Sequence, residues 1–375
     1  MDLSLYLHIP FCRRRCSYCS FYSSAGKEAK IPAYIEALMR EIEQTRLPAR
    51  RVNTIYFGGG TPSLLSSSDI GRILHSIHNQ YDIADKAEIT LEANPGTVDE
   101  AYLRSIRETG VNRLSLGIQT LDAAELKFLG RSHSTEEAAR TIRQSRQAGL
   151  DNLNLDFIYG LPGRTIDKWD RMLDTVIGFG AEHLSLYGLT LEDDTPLVGA
   201  VGRGEITAPD ADAAAEEYEL AAEKLGAAGY RQYEISNWAH PGFESRHNTV
   251  YWRRGEYLGM GVAAHSFIGG ERIANSDNLD EYIEASAAGK APSRTIEVIS
   301  QETALAEAVI LGLRLCEGVS LDDIDHEFSI DLQSRFTAEI AELSSLGLVE
   351  IEDSSLRLTA RGRLLGNEVF VRFLT

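Results

Sequence analysis

The chain has 375 residues, 43% of them hydrophobic and 25% charged, with a formal charge of −19 at neutral pH. That length suits two or three ordinary domains, or one α/β barrel with an appendage, and the composition is that of a folded globular protein. The acidic balance excludes a polyanion-binding surface spread over the whole molecule, because neutralising phosphates takes Lys and Arg.

No apolar run approaches bilayer length, so the chain is not expected to span a membrane. Residues 1–10 carry no basic stretch followed by a long apolar one, so no secretory signal is read there. Few cysteines, three of them clustered, suit a reducing compartment, and a cytoplasmic location is expected.

In chain order, Leu3–Ile9 is an apolar run that reads as a strand. It is followed by Pro10-Phe11-Cys12-Arg13-Arg14-Arg15-Cys16-Ser17-Tyr18-Cys19, which holds three of the four cysteines within eight residues. Thiolates are soft donors that suit iron–sulfur clusters, zinc or copper(I). Three of them leave one position open on a four-iron cluster or need one further ligand for zinc. Cys316 lies far along the chain in a helical pattern and reads as a small buried hydrophobe.

An amphipathic helix follows, with Tyr34, Ile35, Leu38, Met39 and Ile42 on one face. Five more strands are expected: 52–57, Glu88–Ala93, Arg113–Gln119, Asn152–Tyr159 and His183–Leu189. Segments of helical period separate them. Six strands alternating with helices mean a parallel sheet. A polar or glycine group stands at the C-terminal end of five strands: the cysteine loop, Gly58–Thr61, Glu92, Gln119 and Asp156. In β/α barrels the site is built from these ends. The glycine run lacks the ending of a phosphate-binding loop and reads as a tight turn that lets backbone approach a ligand.

Beyond residue 190 the expected features are a helix over Asp210–Gly229, a strand at Tyr233–Ile235 and close-packed chain over Tyr257–Ile268. A linker is placed at 286–300, separating a 1–285 barrel and extension from a 301–375 domain. The C-terminal domain reads as helices at 302–315 and 331–346 around a short one, then a hairpin about Asp353–Ser355, similar to a winged helix. It holds six Arg and no Lys against fourteen Asp and Glu, so nucleic acid is not an expected partner. A lid or protein-docking role suits it better.

Cys12-x3-Cys16-x2-Cys19 after a first strand, with glycines after the second, resembles the radical S-adenosylmethionine superfamily. The resemblance extends to the coproporphyrinogen-dehydrogenase-like branch. Its motifs are Tyr6–Cys12, Phe57–Pro62, Glu92–Gly96, Leu116–Gln119, Gly130–His133 and Asp156–Pro162. It implies a partial (β/α)6 TIM-like barrel with a [4Fe–4S] cluster on Cys12, Cys16 and Cys19. S-adenosylmethionine would bind the fourth iron and touch Tyr6, Gly59, Gly60, Thr61, Glu92, Gln119, Arg131 and Asp156. Two departures point to the sister family of haem chaperones, HemW: Phe21 stands where the dehydrogenase resembles this motif but has another cysteine, and only eleven residues precede Cys12. His247-Asn248-Thr249-Val250-Tyr251-Trp252 matches that family's His-Asn-x-x-Tyr-Trp signature. The resemblance implies haem and haem-accepting proteins as partners, with a homodimer left open. His247 is the candidate haem ligand, and His133 and His265 are further candidates. Tyr251 and Trp252 offer flat faces, while Arg246, Arg253 and Arg254 suit propionates. The alternative function is that of an oxygen-independent coproporphyrinogen III dehydrogenase, or another radical enzyme acting on a porphyrin.

Overall fold

The computed structural model describes residues 2–45, 47 and 50–374. Six parallel strands lie side by side in chain order: β1 (Asp2–Ile9), β2 (Arg51–Gly59), β3 (Asp82–Ala93), β4 (Arg113–Gln119), β5 (Leu153–Tyr159) and β6 (His183–Gly188). Each pairs in parallel with the next. Helices such as Ile31–Gln44, Ser67–Gln80 and Ile166–Gly178 make the crossovers.

The strands explain their own orientation. All seven residues of β4 are buried, yet only alternate ones are apolar. Leu114, Leu116 and Ile118 join the hydrophobic core; Arg113, Ser115, Gly117 and Gln119 line an interior cavity. The same period of two runs through Asn154 and Asp156 in β5, and Ser185 and Tyr187 in β6. An apolar outer face covered by helices and a polar inner face make a half-barrel with a polar lumen.

The sheet stays open and extends to twelve strands. On the β6 edge it adds Asn237–Ala239 and Arg231–Glu234, both antiparallel. On the β1 edge it adds Tyr257–Met260 in parallel, then His265–Ile268, Glu271–Asn275 and Arg294–Val298 in antiparallel fashion. Tyr257–Ile268 is close-packed chain as expected, and within it lie the strands Tyr257–Met260 and His265–Ile268. One expectation is corrected here: the 286–300 stretch is no linker, because the helix Leu279–Ala287 enters it and Arg294–Val298 is the sheet's outermost strand.

The C-terminal region builds a second core from Leu305, Val309, Leu332, Leu343, Leu356 and Phe373. Its helices are Gln301–Gly312, Leu321–Phe328, Leu332–Arg335 and Thr337–Ser345, so the expected 331–346 helix is interrupted at Phe336. The hairpin pairs Val349–Glu352 with Ser355–Leu358. Its two-residue turn, Asp353-Ser354, has both φ angles positive, the primed geometry that matches strand twist. Cys316 follows the first of these helices and does not lie within it; its N–H donates to Tyr233 O at 2.9 Å. No helix among the described residues is long and apolar enough to cross a membrane.

Candidate functional site

The C-terminal ends of β1 to β6 open onto a cavity of about 450 Å³. The cysteine loop forms one wall, with Cys12, Cys16 and Cys19 all lining it. The loop is tied down at several points. Ser24 N–H donates to Pro10 O and Gly26 N–H to Cys12 O, while Ser17 N–H donates to Leu129 O at 3.1 Å and Ser17 Oγ to Phe128 O at 3.0 Å. The four cysteines are unpaired. No three His, Cys, Asp or Glu side chains among the described residues lie close enough to share one metal ion. A tetrahedral zinc site needs such convergence, whereas a cluster takes each thiolate on a different iron. Three thiolates on one cavity wall are a donor set that suits such a cluster.

The expected cofactor contacts surround that wall. Gly59, Gly60, Thr61, Glu92, Gln119, Arg131 and Asp156 all line the cavity. Tyr6 does not; it lies behind Tyr56, ring centroids 6.2 Å apart, and its hydroxyl meets His8 Nδ1 at 3.2 Å. Thr61 Oγ1 is 3.4 Å from Cys12 Sγ. Arg131 reaches across to Cys16 Sγ at 3.6 Å and also donates to Asn94 Oδ1 and Gly117 O. Its Nε is buried without a hydrogen-bond partner, which leaves a donor for an anionic group.

Local backbone sets these positions. Gly59 has a φ of +109°, and a Cβ there would meet the His8 ring at 2.6 Å. Only glycine fits. Gln119 has a φ of +69°, rare for a non-glycine residue, and follows an irregularity in the β4–β5 register at Gly117. Bulges of this kind re-aim side chains beside functional sites.

Two half-buried carboxylates face the lumen. Burial pushes Glu92 up to about 7, although Tyr56 Oη donates to it at 2.8 Å. Asp156 is also raised by burial, against hydrogen bonds from Asn154 Nδ2 and Ser115 Oγ at 2.8 and 3.1 Å. The sequence reading did not pick out Arg113, Ser115, Asn154, Ser185 and Tyr187, all of which line the lumen. Their signal was present as polar residues at every second position of otherwise apolar strands.

The His-Asn-x-x-Tyr-Trp stretch is placed differently from expectation. Ser245 caps the short helix Arg246–Trp252, and Glu88 accepts the N–H groups of Arg246 and His247 at 3.1 and 3.0 Å. The helix packs against β2 and plugs the lumen from the side opposite the cysteines. His247 is 1% exposed. Its Nδ1 is 2.7 Å from Thr54 Oγ1 and its Nε2 is 2.8 Å from Tyr251 Oη. It stacks on Tyr56 at 4.9 Å, and burial pushes its pKa down to about 3. With both ring nitrogens engaged, it presents no lone pair to haem iron in this structure. The neighbouring arginines are taken too: Arg246 donates to Lys86 O, Arg253 pairs with Glu317 and Arg254 with Glu327. Trp252 lies under the Arg314 guanidinium at 4.3 Å. Of the other histidines, His133 is buried against Ile118 O, while His265 is exposed on an outer strand. Neither lines the cavity.

Comparison with known proteins agrees with this architecture. Residues 6–176 match the radical SAM superfamily and residues 299–365 match the HemN C-terminal domain. The heme chaperone HemW of Bacillus subtilis (strain 168) is 35% identical over 374 residues, covering 99% of each chain. HemW of Lactococcus lactis subsp. lactis is 35% identical over 371 residues, covering 99% of this chain and 97% of that one. HemW of Mycobacterium tuberculosis is 37% identical over 370 residues, with coverages of 97% and 93%. Among solved structures, the coproporphyrinogen III oxidase HemN of Escherichia coli, a radical SAM enzyme, superposes with a TM-score of 0.85 at 26% identity. That match covers 100% of this chain and 90% of HemN. The chain belongs to the radical SAM superfamily and, within it, to the HemW family of haem chaperones.

Proposed function

We propose that the protein is a haem chaperone that delivers haem to acceptor proteins. It would carry a [4Fe–4S] cluster on Cys12, Cys16 and Cys19 and an exchangeable S-adenosylmethionine on the surrounding strand ends. The observation that supports this most is the meeting of the three cysteines with the strand-end polar groups on one cavity. That arrangement occurs in a chain related to HemW along nearly its whole length. Each residue has a chemically sensible part. Arg131, with its unpartnered Nε beside Cys16, suits a carboxylate. The backbone at Gly59–Thr61 approaches closely enough for an ammonium, and Glu92 and Asp156 accept hydrogen bonds from hydroxyls.

Haem binding is carried over from what the relatives are named for. At the cavity mouth Phe21 is 69% and Tyr187 is 42% exposed, and such open aromatic faces suit a flat macrocycle. The test is a haem titration of anaerobically purified protein, with and without reconstituted cluster. Saturable binding is expected; no binding in either state would remove the chaperone reading.

The full-length superposition on HemN favours a second reading, oxidative decarboxylation of coproporphyrinogen III. Phe21 counts against it. Anaerobic conversion of that porphyrinogen to protoporphyrinogen would put the second reading in place of the first.

A further inference from the structure

A continuous hydrogen-bond chain runs outward from the lumen through side chains that the expected cofactor contacts do not include. Asp156 faces the cavity from β5. Behind it, Asn154 Nδ2 donates to Asp156 Oδ1 at 2.8 Å, and Asn154 Oδ1 meets His183 Nδ1 at 2.6 Å. His183 Nε2 lies 2.8 Å from Tyr233 Oη, and the same phenol oxygen accepts the Ser245 N–H at 3.2 Å. Asn154, His183 and Ser245 are all buried, where polar groups need partners.

Each bond in this chain has one sense. A carboxylate only accepts, so Asn154 turns its amide nitrogen to Asp156 and its oxygen to His183. Ser185 Oγ donates to that same oxygen at 3.0 Å. An amide oxygen also only accepts, so His183 carries its proton on Nδ1 and leaves Nε2 to accept from Tyr233. The phenol has then given its hydrogen away, and its lone pair takes the Ser245 N–H. Burial opposes a second proton on the ring and pushes the His183 pKa well down.

The outer end of the chain reaches two other parts of the molecule. Ser245 is the N-cap of the signature helix; its Oγ accepts the Asn248 N–H at 3.3 Å, and Asn248 lines the cavity. Tyr233 O accepts the Cys316 N–H, which fastens the C-terminal chain to the same strand.

We propose that Asn154, His183 and Tyr233 are positioning residues, a directional hydrogen-bond relay that holds the Asp156 carboxylate in place and ties it to the cap of the signature helix. This role rests on the reading that Asp156 contacts S-adenosylmethionine. It goes beyond that reading by giving a task to residues outside the expected cofactor contacts.

The first experiment needs no cofactor. Nitrogen chemical shifts of protein carrying isotope-labelled histidine should show His183 as the Nδ1–H tautomer, the minor form of a free neutral imidazole. Tyr233→Phe identifies the resonance, because the ring that loses its phenol donor moves at Nε2. A His183 ring protonated on Nε2, or on both nitrogens at neutral pH, would overturn the proposal. The second experiment measures S-adenosylmethionine affinity in cluster-reconstituted protein. Tyr233→Phe removes one oxygen three hydrogen bonds away from Asp156, and is expected to weaken binding about fivefold, the order of one hydrogen bond. Asn154→Ala should weaken it further. Adding Tyr233→Phe to Asn154→Ala should then cost nothing more, because the relay is already cut. Losses that multiply, or an affinity unmoved by Tyr233→Phe, would mean a merely structural role and overturn the proposal. Wild type that binds no S-adenosylmethionine would remove the cofactor reading and the relay's purpose with it. The tautomer, read without cofactor, keeps these failures apart.

Discussion

Gly117 is where one methyl group separates the site from the fold. Its Cβ, if present, would fall 2.8 Å from both Arg131 Nη2 and Asn94 Oδ1. Both are the ends of flexible side chains, so the backbone need not move. Gly117→Ala is therefore expected to melt within a few degrees of wild type while losing about tenfold in S-adenosylmethionine affinity, as Arg131 is pushed from its seat. Paired calorimetry and ligand titration check the split. His247 carries the opposite expectation. It contributes two short hydrogen bonds and a stacking contact inside the plug, and truncating such a buried group costs about 2–4 kcal/mol. His247→Ala should lower the unfolding midpoint in urea by that amount. The position and shape of the haem absorption bands should stay unchanged, since both nitrogens already face protein partners. A shifted Soret band would restore the histidine as ligand.

At the scale of elements, Arg164 holds three helices to the end of β5. Its side chain is fully buried. It donates to Glu125 at 2.6 and 3.1 Å, to Glu217 at 3.3 Å and to Ile158 O at 3.0 Å. Its guanidinium also lies 4.9 Å from the Trp169 ring. The two acids respond differently. Burial raises both, but the closer, two-pronged contact with Arg164, aided by Lys168, brings Glu125 below its ordinary value, while Glu217 stays raised. Removing one partner of a buried network costs about 3–5 kcal/mol, so Arg164→Met should be destabilised by that order at neutral pH. Because the folded-state pKa of Glu125 is depressed, the stability it contributes is present above its unfolded value. It is lost as the pH falls through the folded one. The gap between variant and wild type should therefore narrow as the pH falls below the ordinary range of a Glu carboxyl, which urea melts at several pH values would show. This network was not legible in the sequence, since Glu125 and Glu217 stand 92 residues apart and neither marks a motif. The six parallel strands were legible because apolar runs and intervening helical periods need only local pattern. Short outer strands such as Arg294–Val298, exposed at every position, carry no such period and read as linker. The hydrogen bonds of His247 were not legible for a related reason: its partner Thr54 lies 193 residues away, so the sequence showed an imidazole but not that its nitrogens were engaged.

Across the whole molecule, the signature helix joins the two cores. Its first turn closes the lumen, while Arg253 and Arg254 just beyond it receive the C-terminal region. Ile235 N–H donates to Arg314 O and Cys316 N–H to Tyr233 O, so the C-terminal chain also covers the sheet edge at Arg231–Glu234, a place otherwise open to unwanted strand pairing. The Arg253–Glu317 pair has both side chains 62% exposed and contributes little. Arg254 differs. Its side chain is 17% exposed and bonded to Glu327 at 3.0 Å, and its guanidinium lies 5.1 Å from the Phe267 ring and 5.9 Å from the Phe328 ring. Phe267 belongs to the barrel's outer strands, Glu327 and Phe328 to the C-terminal helix Leu321–Phe328. One planar cation is thus clasped by both units. Arg254→Ala should weaken their docking by about 1–3 kcal/mol, combining a partly desolvated cation–π contact with an ion pair. Arg254→Lys should recover only part of it, because an ammonium lacks the flat face. The expected signature is a single thermal transition in wild type that broadens or splits in the alanine variant, with faster proteolytic cutting at residues 288–293. Because the plug helix is shared, the loosened variant should also bind S-adenosylmethionine more weakly although no cavity residue has changed. An unaltered transition and an unaltered cleavage rate would show that the two units are held together elsewhere.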